Sequence, residues 1–102
     1  MQRVTLVRYR CKPGQADTNE ALSRAVFEEA RAVAPGHVAY GLFRDGLDFL
    51  HLFINTAEDD SAAITELPSF KAFSEGIADR CEAPPEATRM GLTLVESYGL
   101  PR

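Results

Sequence analysis

Residues 37–55, "HVAYGLFRDGLDFLHLFIN", constrain this chain more than any other stretch. Two strand-like runs, His37 to Arg44 and Leu47 to Asn55, flank Asp45-Gly46, a dipeptide that tolerates the positive φ of a tight hairpin turn. A turn on that dipeptide sets Arg44 opposite Leu47, Leu42 opposite Phe49, Tyr40 opposite His51 and Val38 opposite Phe53. Strand side chains alternate between faces. One face therefore carries Val38, Tyr40, Leu42, Phe49, His51, Phe53 and Asn55, and the other Ala39, Gly41, Phe43, Leu50, Leu52 and Ile54. Both faces are apolar, so the hairpin belongs to a sheet that has to be covered on both sides.

The rest of the chain supplies partners for that hairpin. Val4 to Cys11 alternates, with Val4 and Leu6 on one side and Thr5, Val7 and Tyr9 on the other, and stops at the Pro13-Gly14 turn. Asp17 is the expected cap of a following helix, with Glu20 completing a capping box. Leu22, Val26, Ala30 and Val33 form its apolar stripe, and Pro35-Gly36 ends it. After the acidic loop "AEDD", a short helical turn leads into Pro68. A proline is tolerated at the first helical position, where its missing amide would have no intrahelical partner. Phe70, Phe73, Ile77 and Cys81 then make a second stripe, "CEAPPEAT" reads as a loop, and Thr88 to Tyr98 reads as a long last strand. The βαββαβ order predicts one α+β, ferredoxin-like domain over residues 1–102, a four-stranded antiparallel sheet with two helices on one face. Two helices cannot cover two faces. A second copy of the chain is the expected cover for the other, as a homodimer.

Composition narrows the partners. With 45% hydrophobic and 25% charged residues the chain has the make-up of one globular domain, and its net charge of −4 repels a phosphate backbone, so no nucleic-acid partner is expected. No apolar run reaches membrane-spanning length, and the N-terminus enters a strand pattern directly, so the expected location is cytoplasmic with no membrane partner. In that compartment Cys11 and Cys81 are expected as reduced packing residues. Arg3, Arg8, Arg10 and Lys12 make the first strand basic, a pattern that guards a sheet border against edge pairing. Two His and two Cys without ligand spacing predict no metal, and phosphate-binding loops and a GxSxG elbow are missing.

"CKPG" ending the first strand, "APGHVAYGLFRD" entering the hairpin, and "LPSFKAF" resemble the antibiotic-biosynthesis-monooxygenase-like group of dimeric α/β barrels, over nearly the whole chain. The resemblance implies two ferredoxin-like protomers packed sheet to sheet, each with a pocket between its own sheet and helices. Members include cofactor-free oxygenases of aromatic or quinol-like substrates, haem-degrading enzymes and proteins without an assigned reaction. This chain departs from the pattern. Many members carry histidines where it has Ile64 and Ser69, and the haem-degrading branch uses Asn, Trp and His where it has Val7, Ile64 and Ser74. Haem degradation is therefore not expected, and no cofactor is predicted.

Tyr9, Tyr40, His51 and Asn55 remain on the inferred pocket face, walled by Val7, Phe49, Phe53, Phe70 and Phe73. His51 and Tyr40 are the candidate catalytic pair, because imidazole titrates near neutral pH and such a pair orients a phenolic substrate or accepts its proton. The competing reading is a hydrogen-bonded core histidine among phenylalanines that simply fill the interior. Phe73 is expected in the core and Phe70 on the pocket wall. Glu29 lies at the edge of the first helix's stripe, either solvated or reaching the pocket, and His37 reads as a loop residue.

Three functions compete on this evidence. The leading one is a homodimer binding a small hydrophobic or aromatic metabolite, with cofactor-independent monooxygenation as the reaction the resemblance implies. The alternative is a non-enzymatic ligand-binding or accessory protein of the same fold. An RNA-recognition module shares the βαββαβ order, but "LDFLHLFI" lacks the basic and glycine positions of its "KGFGFVxF"-like strand.

Overall fold

The computed structural model describes residues 2–57 and 64–100. The chain runs β1 (Gln2–Arg10), α1 (Ala16–Val33), β2 (Val38–Asp45), β3 (Asp48–Asn55), α2 (Pro68–Glu75), α3 (Ile77–Arg80) and β4 (Glu86–Leu92). The strands form one four-stranded sheet in the order β2-β3-β1-β4, with every neighbouring pair antiparallel. That is the ferredoxin-like α+β arrangement. Most of the acidic loop, Glu58 to Asp60, lies outside the described residues.

The hairpin turns one residue later than Asp45-Gly46 predicts. Asp45 pairs with Asp48 across Gly46-Leu47, which places Leu42 opposite His51 and Tyr40 opposite Phe53. Gly46 has φ +61° and Leu47 is not in the positive region, the pattern of a type II′ turn with glycine at the first central position. The register thus differs from the expected one by two residues. A slip of two conserves side-chain parity, so each residue keeps the face the sequence assigns to it.

Helix α1 begins at Ala16, and no side chain caps it. The expected Asp17 cap and Glu20 capping box do not form, because both carboxylates turn to Arg44, whose Nη1 donates to Asp17 Oδ1 at 3.1 Å and Glu20 Oε1 at 3.0 Å. Its buried stripe is Ala16, Asn19, Ser23 and Val26, while Val33 is exposed. The helix ends as expected before Pro35. Proline disfavours right-handed helical geometry in the residue before it, and Ala34 instead adopts φ 52°, donating its N–H to the Ala30 carbonyl at 2.7 Å.

Pro68 occupies the first turn of α2, as its ring geometry predicts. The N-terminus of α2 is tied to α1: Glu29 Oε1 accepts the Ser69 N–H at 2.9 Å and the Ser69 hydroxyl at 2.6 Å. Those bonds hold the Glu29 carboxyl below its ordinary range. The second helical stripe is not continuous, since the helix breaks at Gly76 and resumes for the single turn of α3. A Cβ at Gly76 would lie 2.7 Å from Arg80 Nη1, so the missing side chain there leaves room for the guanidinium, which folds back to the Phe73 carbonyl.

The last strand is shorter than expected. It starts at Glu86, opposite Arg8, and ends at Leu92, opposite Gln2, instead of running from Thr88 to Tyr98. β4 is an edge strand with β1 as its neighbour, and among the described residues the pairing ends at Gln2–Leu92. In the segment that follows, Val95 is 90% exposed and Tyr98 fully exposed, so neither packs on its own chain.

The core fills the helix side of the sheet, where Tyr9, Phe49, Val26, Leu67 and Phe73 are buried. On the opposite side Leu50, Leu52 and Ile54 are half-buried and Phe43 is 57% exposed. Cys11 and Cys81 are reduced, buried and paired across an isolated bridge that closes the end of β1. Among the described residues no helix is long and apolar enough to cross a membrane.

Candidate functional site

Strand parity puts Tyr9 (β1), Tyr40 (β2) and His51 (β3) on the helix side, and there they join into one hydrogen-bonded unit. Tyr9 Oη lies 2.6 Å from His51 Nε2, and Tyr40 Oη lies 2.6 Å from His51 Nδ1. Tyr40 reaches His51 diagonally, across the Leu42 row, a span within range of an aromatic side chain. Rings pack around the unit. Phe49 stacks on Tyr9 at 5.4 Å between centroids, Phe27 and Phe53 sandwich Tyr40 at 4.2 and 4.1 Å, and Phe73 tilts against His51 at 5.3 Å.

Two residues that sequence reasoning missed set the direction of this unit. Asn19 Nδ2 donates to Tyr9 Oη at 2.8 Å, and Arg80 Nε donates to Asn19 Oδ1 at 3.0 Å. A guanidinium only donates, so it fixes which end of the Asn19 amide faces Tyr9. Tyr9 accepts that bond, and we assign its own hydroxyl proton to His51 Nε2, which leaves the imidazole protonated at Nδ1 and donating to Tyr40 Oη. Donation therefore runs Arg80 to Asn19 to Tyr9 to His51 to Tyr40, leaving the Tyr40 hydroxyl proton directed away from the ring.

The charge states follow from burial. His51 is 3% exposed, and desolvation pushes its pKa from 6.5 down to about 4, so it is neutral at physiological pH. The same effect raises both tyrosines well above the ordinary phenol range. Arg80 is the one charge in the chain of bonds, buried with a 6% exposed surface. It is held by Asn19, by the Phe73 carbonyl at 2.7 Å from Nη2, and by the Phe73 ring at 5.2 Å, with no carboxylate paired to it among the described residues. As a general base the unit is weak, because its histidine binds a proton reluctantly and its basic nitrogen is already engaged by Tyr9. As a directed donor it is well built. The available signal for Asn19 was its helical spacing with Ser23 and Val26, polar groups on the face turned to the core; none pointed to Arg80.

The other expected site residues gather elsewhere. A cleft of about 280 Å³ opens between the sheet and the start of α2, lined by Val7, Val38, Phe53, Asn55, Phe70 and Arg89 among others. It exists because the helix layer stops short of β4, whose helix-side residues Ala87, Arg89 and Gly91 are all exposed. Tyr9, Tyr40, His51, Phe49 and Phe73 do not line it. They stand behind its floor, with Val7 paired to His51 and Phe53 stacked on Tyr40. The expected single pocket is thus two adjoining layers, an apolar cleft and a buried polar relay. A larger groove of about 380 Å³ between α1 and β2 is lined mainly by Glu20, Arg24, Glu28, Arg31 and Arg44, and offers little apolar surface.

The positions where the resemblance calls for histidine are filled structurally. Ile64 is buried in the core and Ser69 is held by Glu29. His37 sits in the turn before β2 and its carbonyl accepts from Thr56. Among the described residues no cluster of His, Cys, Asp or Glu is placed to hold a metal.

No protein-family model and no curated protein matches the chain. Solved structures do. A Mycobacterium tuberculosis protein superposes with a TM-score of 0.78 at 15% identity, over 95% of this chain and 100% of that one. A Nitrosomonas europaea protein provisionally described as an antibiotic biosynthesis monooxygenase gives 0.75 at 17% identity, over 94% of each chain. A structure described as an antibiotic biosynthesis monooxygenase gives 0.69 at 23% identity, over 92% of this chain and 100% of that one. The chain shares the fold of these three structures, two of them described as antibiotic biosynthesis monooxygenases, over more than 90% of its length.

Proposed function

We propose that the chain is a member of the antibiotic-biosynthesis-monooxygenase-like family that binds a small aromatic molecule in the cleft between its sheet and α2. The observation that carries this reading is the lining of the cleft, where Val7, Phe53 and Phe70 supply an apolar body and Asn55 a polar group at its edge. The protein works in the cytoplasm as a homodimer, with the sheet face bearing Phe43, Leu50, Leu52 and Ile54 closed against a second copy.

Cofactor-independent oxygenation is the reaction that suits a donor relay behind the cleft. In an anthrone the ring CH₂ becomes a carbonyl while the second oxygen atom of O₂ leaves as water, so the substrate supplies every electron. The Tyr40 hydroxyl, oriented through His51, Tyr9 and Asn19, donates to the enolate oxygen formed when the ring CH₂ gives its proton to hydroxide from the solvent that reaches the open cleft. For that contact the Phe53 ring has to move, because it covers Tyr40 at 4.1 Å. This covering favours a second reading, a ligand-binding or accessory protein without turnover.

Oxygen uptake separates the two. Uptake with anthrones or hydroquinones that Tyr40→Phe and His51→Ala abolish establishes the oxygenase. Ligand binding without uptake establishes the binder, and loss of affinity in Phe70→Ala places the ligand in the cleft. Absence of binding by any aromatic compound contradicts both.

A further inference from the structure

Resting on the reading that the cleft holds an aromatic molecule, we propose that this molecule carries a carboxylate and that Arg89 binds it. Arg89 lies on β4 opposite Thr5, on the helix side of the sheet, and lines the cleft with Val7, Phe53 and Phe70. Among the described residues no side-chain hydrogen bond or ion pair engages its guanidinium, whereas Arg44 in the neighbouring groove is neutralised by Asp17 and Glu20. Arg3, one row along β1, lines the same cleft. In a chain of net charge −4, no carboxylate lines this cleft among the described residues, so the charge of Arg89 faces the ligand space.

The shape of the fork selects the ligand group. A guanidinium offers parallel N–H donors that match the two oxygens of a planar carboxylate, which a neutral carbonyl or hydroxyl cannot fully engage. The cleft, at about 280 Å³, lies just under the roughly 300 Å³ at which ordinary ligand pockets begin, which suits a small fused-ring system. The aromatic body rests on Phe53 and Phe70 while the carboxylate stays at the open β4 side, so the charge keeps part of its hydration.

The experiment is a calorimetric titration of wild type, Arg89→Gln and Arg89→Lys with 2-naphthoate and with its neutral isostere 2-naphthamide. Arg89 is exposed, so its replacement leaves the fold intact. We expect naphthoate to bind wild type about tenfold more tightly than naphthamide, the scale of one charge-assisted hydrogen-bonded pair at a partly hydrated site. Arg89→Gln should erase that preference without changing the affinity for naphthamide, and Arg89→Lys should restore part of it. Equal binding of the two compounds to wild type, or a preference that survives Arg89→Gln, overturns the carboxylate inference and leaves the aromatic cleft standing. Binding of neither compound overturns the cleft as well.

Discussion

The hydroxyl of Tyr40 lies 2.6 Å from Nδ1 of His51, although Tyr40 is paired across the sheet with Phe53. That diagonal bond ties β2 to a buried histidine whose other nitrogen, Nε2, accepts from Tyr9 only while the ring is neutral. Burial lowers the His51 pKa from 6.5 to about 4 in the folded state, so between these values the unfolded chain binds more protons than the native one. Stability therefore falls as pH drops from 6.5 toward 4, by on the order of 3 kcal/mol across the window. Glu20 and Glu29, held low by Arg44 and Ser69, release their contribution only as pH falls below the ordinary carboxylate range. Urea unfolding between pH 5 and 6.5 should thus show a slope in wild type that His51→Gln flattens, and equal slopes would contradict the assignment.

The direction of donation is open to a substitution that changes almost no volume. In Asn19→Asp the new carboxylate accepts both from Arg80 and from the Tyr9 hydroxyl, so Tyr9 no longer donates to His51. The imidazole proton then moves to Nε2, and Tyr40 becomes the donor to Nδ1. Nitrogen-15 shifts of the His51 ring should report the Nδ1–H tautomer in wild type and the Nε2–H tautomer in Asn19→Asp. The same tautomer in both proteins would show that Asn19 and Arg80 do not set it.

Ala34 stores backbone strain at the end of α1, where its φ is 52°. The left-handed region costs an L-residue about 1–2 kcal/mol, and glycine relieves that cost while adding some freedom to the unfolded chain. Ala34→Gly should stabilise the protein by about 0.5–1 kcal/mol, visible as a melting temperature a few degrees higher. A lower melting temperature would mean that the strain is not there.

The open sheet face makes a prediction about assembly. Leu52 sits among Leu50, Ile54 and Phe43, and a carboxylate buried there without a partner costs several kcal/mol, comparable to the stability of a small domain. Wild type should sediment as a dimer at micromolar concentration and Leu52→Glu as monomer or unfolded chain. A folded wild-type monomer would remove the basis for the dimer.

Strand identity and facing were legible in the sequence because a period of two survives an error in the turn. Moving the hairpin from Asp45-Gly46 to Gly46-Leu47 shifted every pair by two and left Tyr40, Leu42, His51 and Phe53 on one side. The relay was half legible for the same reason, since Tyr9, Tyr40 and His51 fall on that side by parity. Asn19 and Arg80 were not. They meet across 61 positions, and the Arg80 guanidinium uses space that a side chain at position 76 would fill, a tertiary fit that no local pattern announces. Nor did the sequence reveal that the aromatic wall is two layers, because Phe70 and Phe73 share a helix stripe while one lines the cleft and the other is buried against His51.

The central claim is that an aromatic ligand occupies the cleft over Val7, and a substitution that fills the cleft tests it most directly. Val7→Phe puts a ring into space that already exists, so it should leave the melting temperature equal or higher, unlike an extra ring forced into a packed core. Calorimetric titration with 2-naphthol should then show binding to wild type and at least a tenfold loss in Val7→Phe. Undiminished binding to a stably folded Val7→Phe variant would contradict the account.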